Sequence, residues 1–543
     1  MKKLVALIIA LMMLASFAMA EGGLTGVPGL PVSDEPVKVS IALVANGASV
    51  NLSVDRNWMA QYLSRYSGLD IEWSVIDSAA ANDRVPMMLN SGDMPDAILG
   101  YSFDANKIVQ YGVSEGILRP INDLLQYMPN FSKILEDDPA IAKGITAADG
   151  NIYGFPGLNN IWNYDVRQFI RTSWLDNLGL EMPKTLEEFK DVLIAVRDGD
   201  ADGDGETDDE IPFTGSWDEA QNERGFFIRA YGYVANSGNY IAIDYNKEEK
   251  DIIYIPYAEY YKDFLLYMND LWNEGLIDPD MFTQAETQVQ ATILEGDVFF
   301  SAMSAPYVYD PDRQTEWCAA DALVDNDGDT PVWPAPNPVA QVSLFSINAD
   351  ASEEVAIAIA KLADTMYTVE WYSFAAYGPQ VGSELDWNGD GHYWNEEIQN
   401  LSYNRPDDMA SDWTHRCTNL SLWSVPGFHQ TGYAPYRVIL GQKYPETAVG
   451  KLFKDGDVCR DDEIQQQQAY SPFYVDSVPH MFFTADDLAR VNELTVPLDD
   501  YVKSMEAKFI VGEISIEDEY DNFIATLEEY GVQELLEIYN MYY

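Results

Sequence analysis

The chain is poor in the residue types that catalyse hydrolysis or hold zinc. Its 543 residues include 4 histidines, at positions 392, 415, 429 and 480, and none of them forms a His-Glu-x-x-His spacing. Gly-x-Ser-x-Gly occurs once, at Gly112 to Gly116, but no predicted strand directly precedes it, as the turn of a serine nucleophile requires. With 89 acidic residues, a pair of carboxylates can be found in any region of the chain, so such pairs do not argue for a glycosidase. The absences therefore argue against a zinc or serine hydrolase.

Cysteine is also scarce, with Cys318, Cys417 and Cys459 only. In an oxidising compartment at most one pair can close a disulfide, and three pairings are possible. Buried, reduced thiols are the simpler alternative. The spacing of the cysteines does not decide between these alternatives, and it fits no zinc site.

Positively charged residues are also scarce. The chain has 32 Lys and Arg against 89 Asp and Glu, which gives a net charge of −57. Such a surface repels nucleic acid and anionic lipid, which excludes both as partners. Solubility is the simplest role of this charge, and attraction of cations or of a basic partner is the alternative. We expect a monomer.

No long apolar run follows the first twenty residues. Lys2 and Lys3, the apolar run from Leu4 to Leu14 and Ala18-Met19-Ala20 predict a secretory signal over residues 1–20. No cysteine lies near the predicted cleavage point, so a lipid anchor is unsupported. The sequence predicts a secreted protein, either extracellular or held in the cell envelope.

Strand and helix patterns alternate along the chain. Val37 to Ala45 has the alternation of a strand, and Ile71 to Ile76 and Asp96 to Gly100 follow with helical segments between them. Thr185 is a strong N-cap for a helix from Leu186 to Arg197, with Glu188 at the capping-box position. This alternation predicts an α/β fold with two large lobes or three domains.

Several short motifs follow one another in a fixed order along the chain. They are Ser91 to Asp96, Asp149 to Pro156, Arg171 to Glu188, Glu210 to Pro212, Glu274 to Pro279 and Lys508 to Glu513. Together they resemble the family 1 extracellular solute-binding proteins, the receptor components of bacterial sugar ABC importers. The resemblance is to the long type of Gram-positive bacteria and covers most of residues 37–543. Its main departure is the missing lipobox cysteine.

The resemblance implies a two-lobed, periplasmic-binding-protein-like fold of type II. Each lobe is then a β-sheet flanked by helices, with a ligand cleft between the lobes that closes on the ligand. The predicted division is 1–20 signal peptide, 21–36 flexible lead, 37–155 first part of lobe 1, 156–295 first part of lobe 2, 296–350 return to lobe 1, and 351–543 mostly lobe 2 with C-terminal helices.

An acidic loop follows the helix that Thr185 caps, and its spacing is typical of a calcium loop. Carboxylates stand at positions 1, 3, 5 and 9, a carbonyl is expected at position 7, and Gly205 stands at position 6. Position 12 is Ile211 rather than Glu, so Asp209 or Glu210 would have to substitute. The alternative is a solvated acidic turn. The predicted Ca²⁺ ligands are Asp200, Asp202, Asp204, Glu206 and Asp208.

A second loop fits the full Asp-x-Asn-x-Asp-Gly pattern, with five residues before Glu. An acidic surface hairpin is the alternative. Calcium in either loop would be structural, and a weak site suffices outside the cell. The predicted ligands in this loop are Asp386, Asn388, Asp390, His392 and Glu397.

Sugar ligands need aromatic faces for their C–H surfaces and polar groups for their hydroxyls. Binding residues in α/β folds tend to follow strand ends, and core packing is the alternative role for each aromatic residue. The predicted ligand-binding residues are Asn57, Trp58, Tyr101, Asn159, Asn160, Trp162, Trp217 and Tyr307.

These patterns together predict a receptor that is not an enzyme. It would bind a carbohydrate, an oligosaccharide by family resemblance, and deliver it to the membrane subunits of an ABC importer. A secreted glycoside-active enzyme and a calcium-stabilised surface adhesin are the alternatives. The sequence does not identify the sugar.

Overall fold

A computed structural model describes residues 27–45, 54–158, 168–207, 209–217, 223–235, 240–303, 306–310, 312–326, 328–335, 337–368, 371, 378–379, 381–389, 391–395, 400–405, 407 and 469–543. These residues form two compact units. Unit 1 contains the described residues of Met1–Ile161, Pro338–Lys454 and Phe482–Ala485. Unit 2 contains those of Trp162–Asn337, Asp455–Met481 and Asp486–Tyr543.

Strands occur in both units. In chain order they are β1 (Val37–Ala45), β2 (Leu69–Asp77), β3 (Ala97–Phe103), β4 (Phe155–Leu158), β5 (Gln168–Arg171), β6 (Ile211–Phe213), β7 (Tyr233–Ala235), β8 (Ile241–Asp244), β9 (Ile252–Tyr254), β10 (Val298–Ala302), β11 (Trp317–Ala319), β12 (Trp333–Pro334), β13 (Val339–Ile347), β14 (His392–Asn395), β15 (Asn400–Tyr403) and β16 (Tyr474–Val475).

Helices connect these strands. The α-helices are Trp58–Tyr66, Ser78–Ser91, Ala105–Lys107, Pro129–Asp137, Pro139–Ile145, Thr172–Leu178, Leu186–Asp198, Arg224–Arg229, Tyr261–Asn273, Glu286–Glu295, Pro306–Tyr309, Glu353–Thr365, Ala485–Ile510, Ile516–Glu529 and Val532–Tyr542. A π-helix spans Ile108–Ser114, and 3-10 turns span Val54–Arg56, Asn122–Tyr127, Ile255–Tyr257, Gln314–Glu316 and Ser471–Phe473.

Unit 1 is built on a five-stranded mixed sheet in the order β2-β1-β3-β13-β4. β1 pairs in parallel with β2 and β3, and β13 runs antiparallel to β3 and β4. The last five residues of β1 are all buried, because helices cover the sheet and leave no solvent face there. A separate hairpin pairs β14 with β15.

Unit 2 contains a four-stranded sheet in the order β11-β5-β10-β6 and a three-stranded sheet in the order β7-β8-β9. In the first sheet, β10 pairs in parallel with β6 and antiparallel with β5. β12 and β16 form a small parallel pair. The α/β fold class predicted from the sequence is confirmed.

Two segments lie in a different unit from the one predicted. Residues 296–337 were expected to return to the first lobe, but they belong to unit 2 because β10 lies between β5 and β6. Residues 351–454 were expected mostly in the second lobe, but their described part belongs to unit 1. There the buried Asp364 accepts hydrogen bonds from the Phe131 amide at 2.8 Å and from Asn130 Nδ2 at 2.9 Å.

The C-terminal helices belong to unit 2, where the carboxylate of Glu506 is buried. Its Oε2 accepts from Arg224 Nη2 at 2.7 Å and from Trp217 Nε1 at 2.9 Å, and its Oε1 accepts from the Tyr261 hydroxyl at 2.8 Å. Every polar atom of this carboxylate therefore has a partner. We call these four residues the Glu506 network.

No helix among the described residues is long and apolar enough to cross a membrane. The predicted signal peptide, residues 1–20, lies outside the described residues.

Candidate functional site

Asn57 and Trp58, both predicted to bind ligand, lie at the start of the helix Trp58–Tyr66 in unit 1. The side chain of Asn57 is the N-cap, and its Oδ1 accepts from the Ala60 amide at 2.9 Å. Trp58 is fully buried and stacks on Tyr62, with 5.0 Å between the ring centroids, and on Trp387 at 5.8 Å. These contacts give both residues a part in the packing of unit 1.

Tyr101 lies on β3, and its ring packs edge-on against Phe103 with 4.9 Å between the centroids. Its hydroxyl is buried and has no hydrogen-bond partner in the part of the chain that the structure describes. Burial, with the nearby charges of Tyr111 and Asp104, raises the pKa of Tyr101 to about 12. The hydroxyl is therefore a protonated donor that no group among the described residues uses.

Trp217 is buried in unit 2 and is a member of the Glu506 network. Its ring packs against Phe282, with 5.4 Å between the centroids, and the Arg224 guanidinium lies 5.2 Å from its centroid. Both the ring and its N–H thus have protein partners, as expected of a core residue.

The remaining predicted ligand-binding residues give no test of the hypothesis. Asn159, Asn160 and Trp162 lie outside the described residues, and Tyr307 lies in the helix Pro306–Tyr309 with its side chain outside them.

Two buried polar residues that the sequence did not single out lie at one edge of the four-stranded sheet of unit 2. Gln168 begins β5 and is fully buried, yet neither its Oε1 nor its Nε2 has a hydrogen-bond partner among the described residues. Glu223 is also fully buried, and its Oε1 accepts from the Ala302 amide at 3.1 Å. Its Oε2 has no partner within the described ranges. We call Gln168 and Glu223 the edge pair.

Local geometry fixes the Glu223 carboxyl at this edge. A Cβ added to Gly215, two residues after β6, would lie 2.1 Å from Oε1 of Glu223, so only glycine leaves room for the carboxyl there. Burial raises the pKa of Glu223 to about 8, although the Ala302 amide and the Arg224 charge oppose the shift. No sequence signal could have identified this residue among 89 acidic ones.

Arg171, which opens the longest family motif, has a structural role. Its buried guanidinium donates to Asp310 Oδ2 at 2.8 Å, to Glu316 Oε2 at 2.9 Å and to the Val298 carbonyl at 2.8 Å. The motif therefore joins β5 to β10 and to the turn before β11, at the opposite end of these strands from the edge pair.

The acidic loop forms directly after the helix Leu186–Asp198. Carboxylate oxygens of Asp200, Asp202 and Asp204 lie within 4.8 Å of one another. Oδ1 of Asp200 accepts from the Gly205 amide at 3.2 Å, and Gly205 adopts a φ of +100° that favours glycine. Three hard oxygen ligands at this separation fit a calcium ion.

The acidic groups around this loop repel one another. Burial and then the charges of Asp204, Asp202 and Asp297 raise the pKa of Asp209, with an opposing backbone hydrogen bond. Glu210 Oε1 accepts from the Ala201 amide at 2.8 Å, and its buried Oε2 has no partner in the residues described. A cation would relieve this repulsion. Asp208 lies outside the described residues.

The loop at 386 forms part of a hairpin. Asp386 accepts from the Gly391 amide at 3.0 Å and from the Gly382 amide at 2.9 Å, and the His392 carbonyl accepts from the Val381 amide at 2.9 Å. Asn388 is exposed, and Asp390 and Glu397 lie outside the described residues. A second calcium site therefore stays a prediction.

Comparisons with known proteins give a consistent picture. The chain is 27% identical over 503 residues to the fructooligosaccharide ABC transporter substrate-binding protein FusA of Streptococcus pneumoniae, which covers 89% of this chain and 86% of FusA. A solved structure of an EF-hand mutant of FusA with fructo-nystose has a TM-score of 0.69 at 21% identity, covering 93% of this chain and 98% of that one. No protein-family model matches the chain.

A second similar protein is an HMO-binding, ABC-transporter-associated solute-binding protein from Bifidobacterium longum infantis. Its solved structure has a TM-score of 0.71 at 19% identity and covers 94% of this chain and 99% of that one. These structures share the fold of the present chain. The relatives and the shared fold confirm the resemblance to the family 1 extracellular solute-binding proteins that the sequence motifs indicate.

Proposed function

We propose that this protein is an extracellular receptor that binds an oligosaccharide and delivers it to the membrane subunits of an ABC importer. The observation that carries the proposal is the similarity to FusA along 89% of the chain. The predicted signal peptide supports a location outside the cell. Closure of two lobes around the ligand, which the resemblance implies, stays a prediction.

The charge of the chain favours an uncharged sugar. A net charge of −57 repels a polyanionic saccharide over a long range, whereas a neutral oligosaccharide experiences no such barrier. We therefore expect nystose or a neutral milk oligosaccharide to bind more tightly than an oligogalacturonate of similar length.

The test is a binding screen of the purified protein by thermal shift, followed by calorimetry on the hits. The panel contains nystose, neutral human milk oligosaccharides and oligogalacturonates. Binding of one class in the micromolar range or tighter, with the sugar recovered intact, supports a receptor. Hydrolysis of the bound sugar would favour the glycoside-active enzyme, and no binding to any member would contradict the proposal.

We also propose that the acidic loop holds a structural calcium ion. Asp200, Asp202 and Asp204 would supply carboxylate oxygens, Glu206 a backbone carbonyl and Asp208 a further oxygen, and Glu210 stands in for the Glu missing at position 12. The EF-hand mutant made in FusA supports a site of this kind in a relative. The ion would pin the loop and supply no catalytic chemistry.

Calcium should raise the melting temperature of the protein by mass action. At a calcium concentration of about 100 times Kd, the stabilisation is about 2.7 kcal/mol. Asp202→Asn should abolish this shift. Asp386→Asn, which alters only the second loop, is the control and should leave the shift unchanged. Equal melting curves of the unaltered protein in chelator and in excess calcium would contradict the proposal.

A further inference from the structure

The edge pair carries an energetic cost that the fold of unit 2 does not explain. Burying an amide or a carboxyl oxygen without a hydrogen bond costs about 1 to 3 kcal/mol. Gln168 leaves both amide atoms without partners in the described residues, and Glu223 leaves one oxygen. A buried polar group in this state requires a reason, such as a ligand that completes its hydrogen bonds.

Both residues of the edge pair lie beside Ala302. Ala302, the last residue of β10, is the partner of Gln168 across the antiparallel pairing of β10 with β5. The amide of the same Ala302 donates to Glu223 Oε1. Paired residues of antiparallel strands have Cα atoms about 4.5 to 5.5 Å apart. Both polar side chains therefore flank one alanine.

This edge is where an α/β sheet usually binds its ligand. β6 and β10 are parallel, so their carboxyl ends, at Phe213 and Ala302, lie at the same edge. Ligands of open α/β sheets bind outside the carboxyl ends of such strands. Gly215 follows β6, and the Glu223 carboxyl occupies the place that a side chain there would fill.

The chemistry of the edge pair suits the hydroxyl groups of a sugar. The Gln168 amide can donate through Nε2 and accept through Oε1, and the carboxyl of Glu223, which is protonated below its pKa of about 8, can donate through Oε2. Sugar hydroxyls each offer a donor and an acceptor, so they can satisfy these three atoms. Arg171 and Arg224 of this unit are already paired with Asp310 and Glu506, so neither is available to a charged ligand. An uncharged sugar ring is therefore the best match.

We propose that Gln168 and Glu223 form a hydrogen-bonding subsite for one sugar ring of the oligosaccharide. Gln168 both donates to and accepts from ring hydroxyls, and Glu223 Oε2 donates to a hydroxyl oxygen. This inference rests on the proposed carbohydrate-binding function and adds to it two ligand-binding residues.

The test measures affinity and stability together. The ligand is nystose or, if another member of the panel binds more tightly, that oligosaccharide. Gln168→Leu should weaken binding by about tenfold or more, because two hydrogen bonds are lost. The same variant should melt at an equal or higher temperature without ligand, because an unsatisfied buried amide is removed. Gln168→Met, with an unbranched side chain, replaces it if the leucine variant does not fold.

Glu223→Gln tests the second residue. The new amide oxygen can accept from Ala302 and its NH₂ can donate to the sugar as the protonated carboxyl does, so the affinity should stay within about threefold. Glu223→Leu removes the donor and should bind about tenfold more weakly. Gln533→Leu and Glu513→Gln make the same changes at exposed positions of unit 2 and should leave the affinity unchanged.

The outcomes separate this inference from the proposed function. If the unaltered protein binds no oligosaccharide of the panel, the receptor proposal fails. If it binds, and the affinity of both Gln168 variants is unchanged, the subsite is wrong while the receptor proposal stands. Unchanged affinity of Glu223→Leu removes Glu223 from the subsite. A lower melting temperature of both Gln168 variants would show that the amide is structural.

Discussion

Unit 2 buries two groups of polar side chains that differ in how completely they are satisfied. In the Glu506 network, both carboxylate oxygens accept hydrogen bonds, from Arg224, Trp217 and Tyr261. In the edge pair, three polar atoms have no partner among the described residues. Glu223 and Arg224 are neighbours in the chain, yet one belongs to each group.

We infer that the satisfied group of polar side chains maintains the fold and that the unsatisfied group serves the function. A buried charge that is fully paired holds a fold in one arrangement, and removing one partner leaves the other uncompensated. A buried polar group without a partner contributes no such stability, so its retention indicates another role. The prediction of Trp217 as a sugar-binding residue loses support on this criterion, because its N–H already donates to Glu506.

The largest effect should come from breaking the satisfied network. Glu506→Ala leaves Arg224 buried and unpaired, and we expect a loss of about 3 to 5 kcal/mol in the free energy of unfolding. Urea denaturation monitored by tryptophan fluorescence measures it. Glu513→Ala, an exposed residue of the same unit, should change stability by less than about 0.5 kcal/mol. A loss below about 1 kcal/mol for Glu506→Ala would mean that the network is not structural.

Two tyrosines provide a matched pair of intermediate effect. Tyr261→Phe removes a hydroxyl that donates to Glu506, and we expect a loss of about 1.5 to 3 kcal/mol. Tyr101→Phe removes a buried hydroxyl without a partner in the described residues, so stability should stay equal or rise by up to about 1 kcal/mol. The denaturant midpoints of the two variants measure both changes in stability. Similar losses for the two variants would break the distinction between satisfied and unsatisfied groups.

The smallest effect concerns the pH dependence of Glu223. Its pKa in the folded protein is about 8, above the ordinary value of 4.5, so the folded state binds a proton that the unfolded state releases between these values. Stability from this group is therefore present below pH 4.5 and is lost as the pH rises through 8.

Glu223→Gln removes this titration. Between pH 6 and 7 its melting temperature should fall less than that of the unaltered protein, by an amount equivalent to about 1 kcal/mol. Scanning calorimetry at four pH values measures the slope, with Glu513→Gln as the control. Parallel pH profiles of the unaltered protein and Glu223→Gln would contradict a raised pKa.

Local signals in the sequence predicted much of the fold. The alternation over Val37 to Ala45 corresponds to β1 as observed. Thr185 caps the helix Leu186–Asp198 as its capping box predicts, with its side chain accepting from the Glu188 amide at 3.1 Å. Such elements depend on residues close in sequence, so one sequence suffices to predict them.

The candidate site depends on contacts between residues far apart in sequence. A tryptophan after a strand has the same sequence pattern whether it packs in a core or contacts a ligand, and Trp58 and Trp217 proved to be buried. Gln168 is one polar residue at the start of a short strand, and its unsatisfied state follows only from the positions of β10 and β11. The sequence therefore predicted the kind of site better than its residues.

The Glu506 network also constrains when unit 2 can fold. Arg224 and Glu506 are separated by 282 residues, so the carboxylate is synthesised long after its partner. Until then the nascent second unit holds a guanidinium without its counter-ion, and its core cannot close around that charge. Completion of this unit must wait for nearly the whole polypeptide, which leaves the chain accessible to chaperones before it compacts.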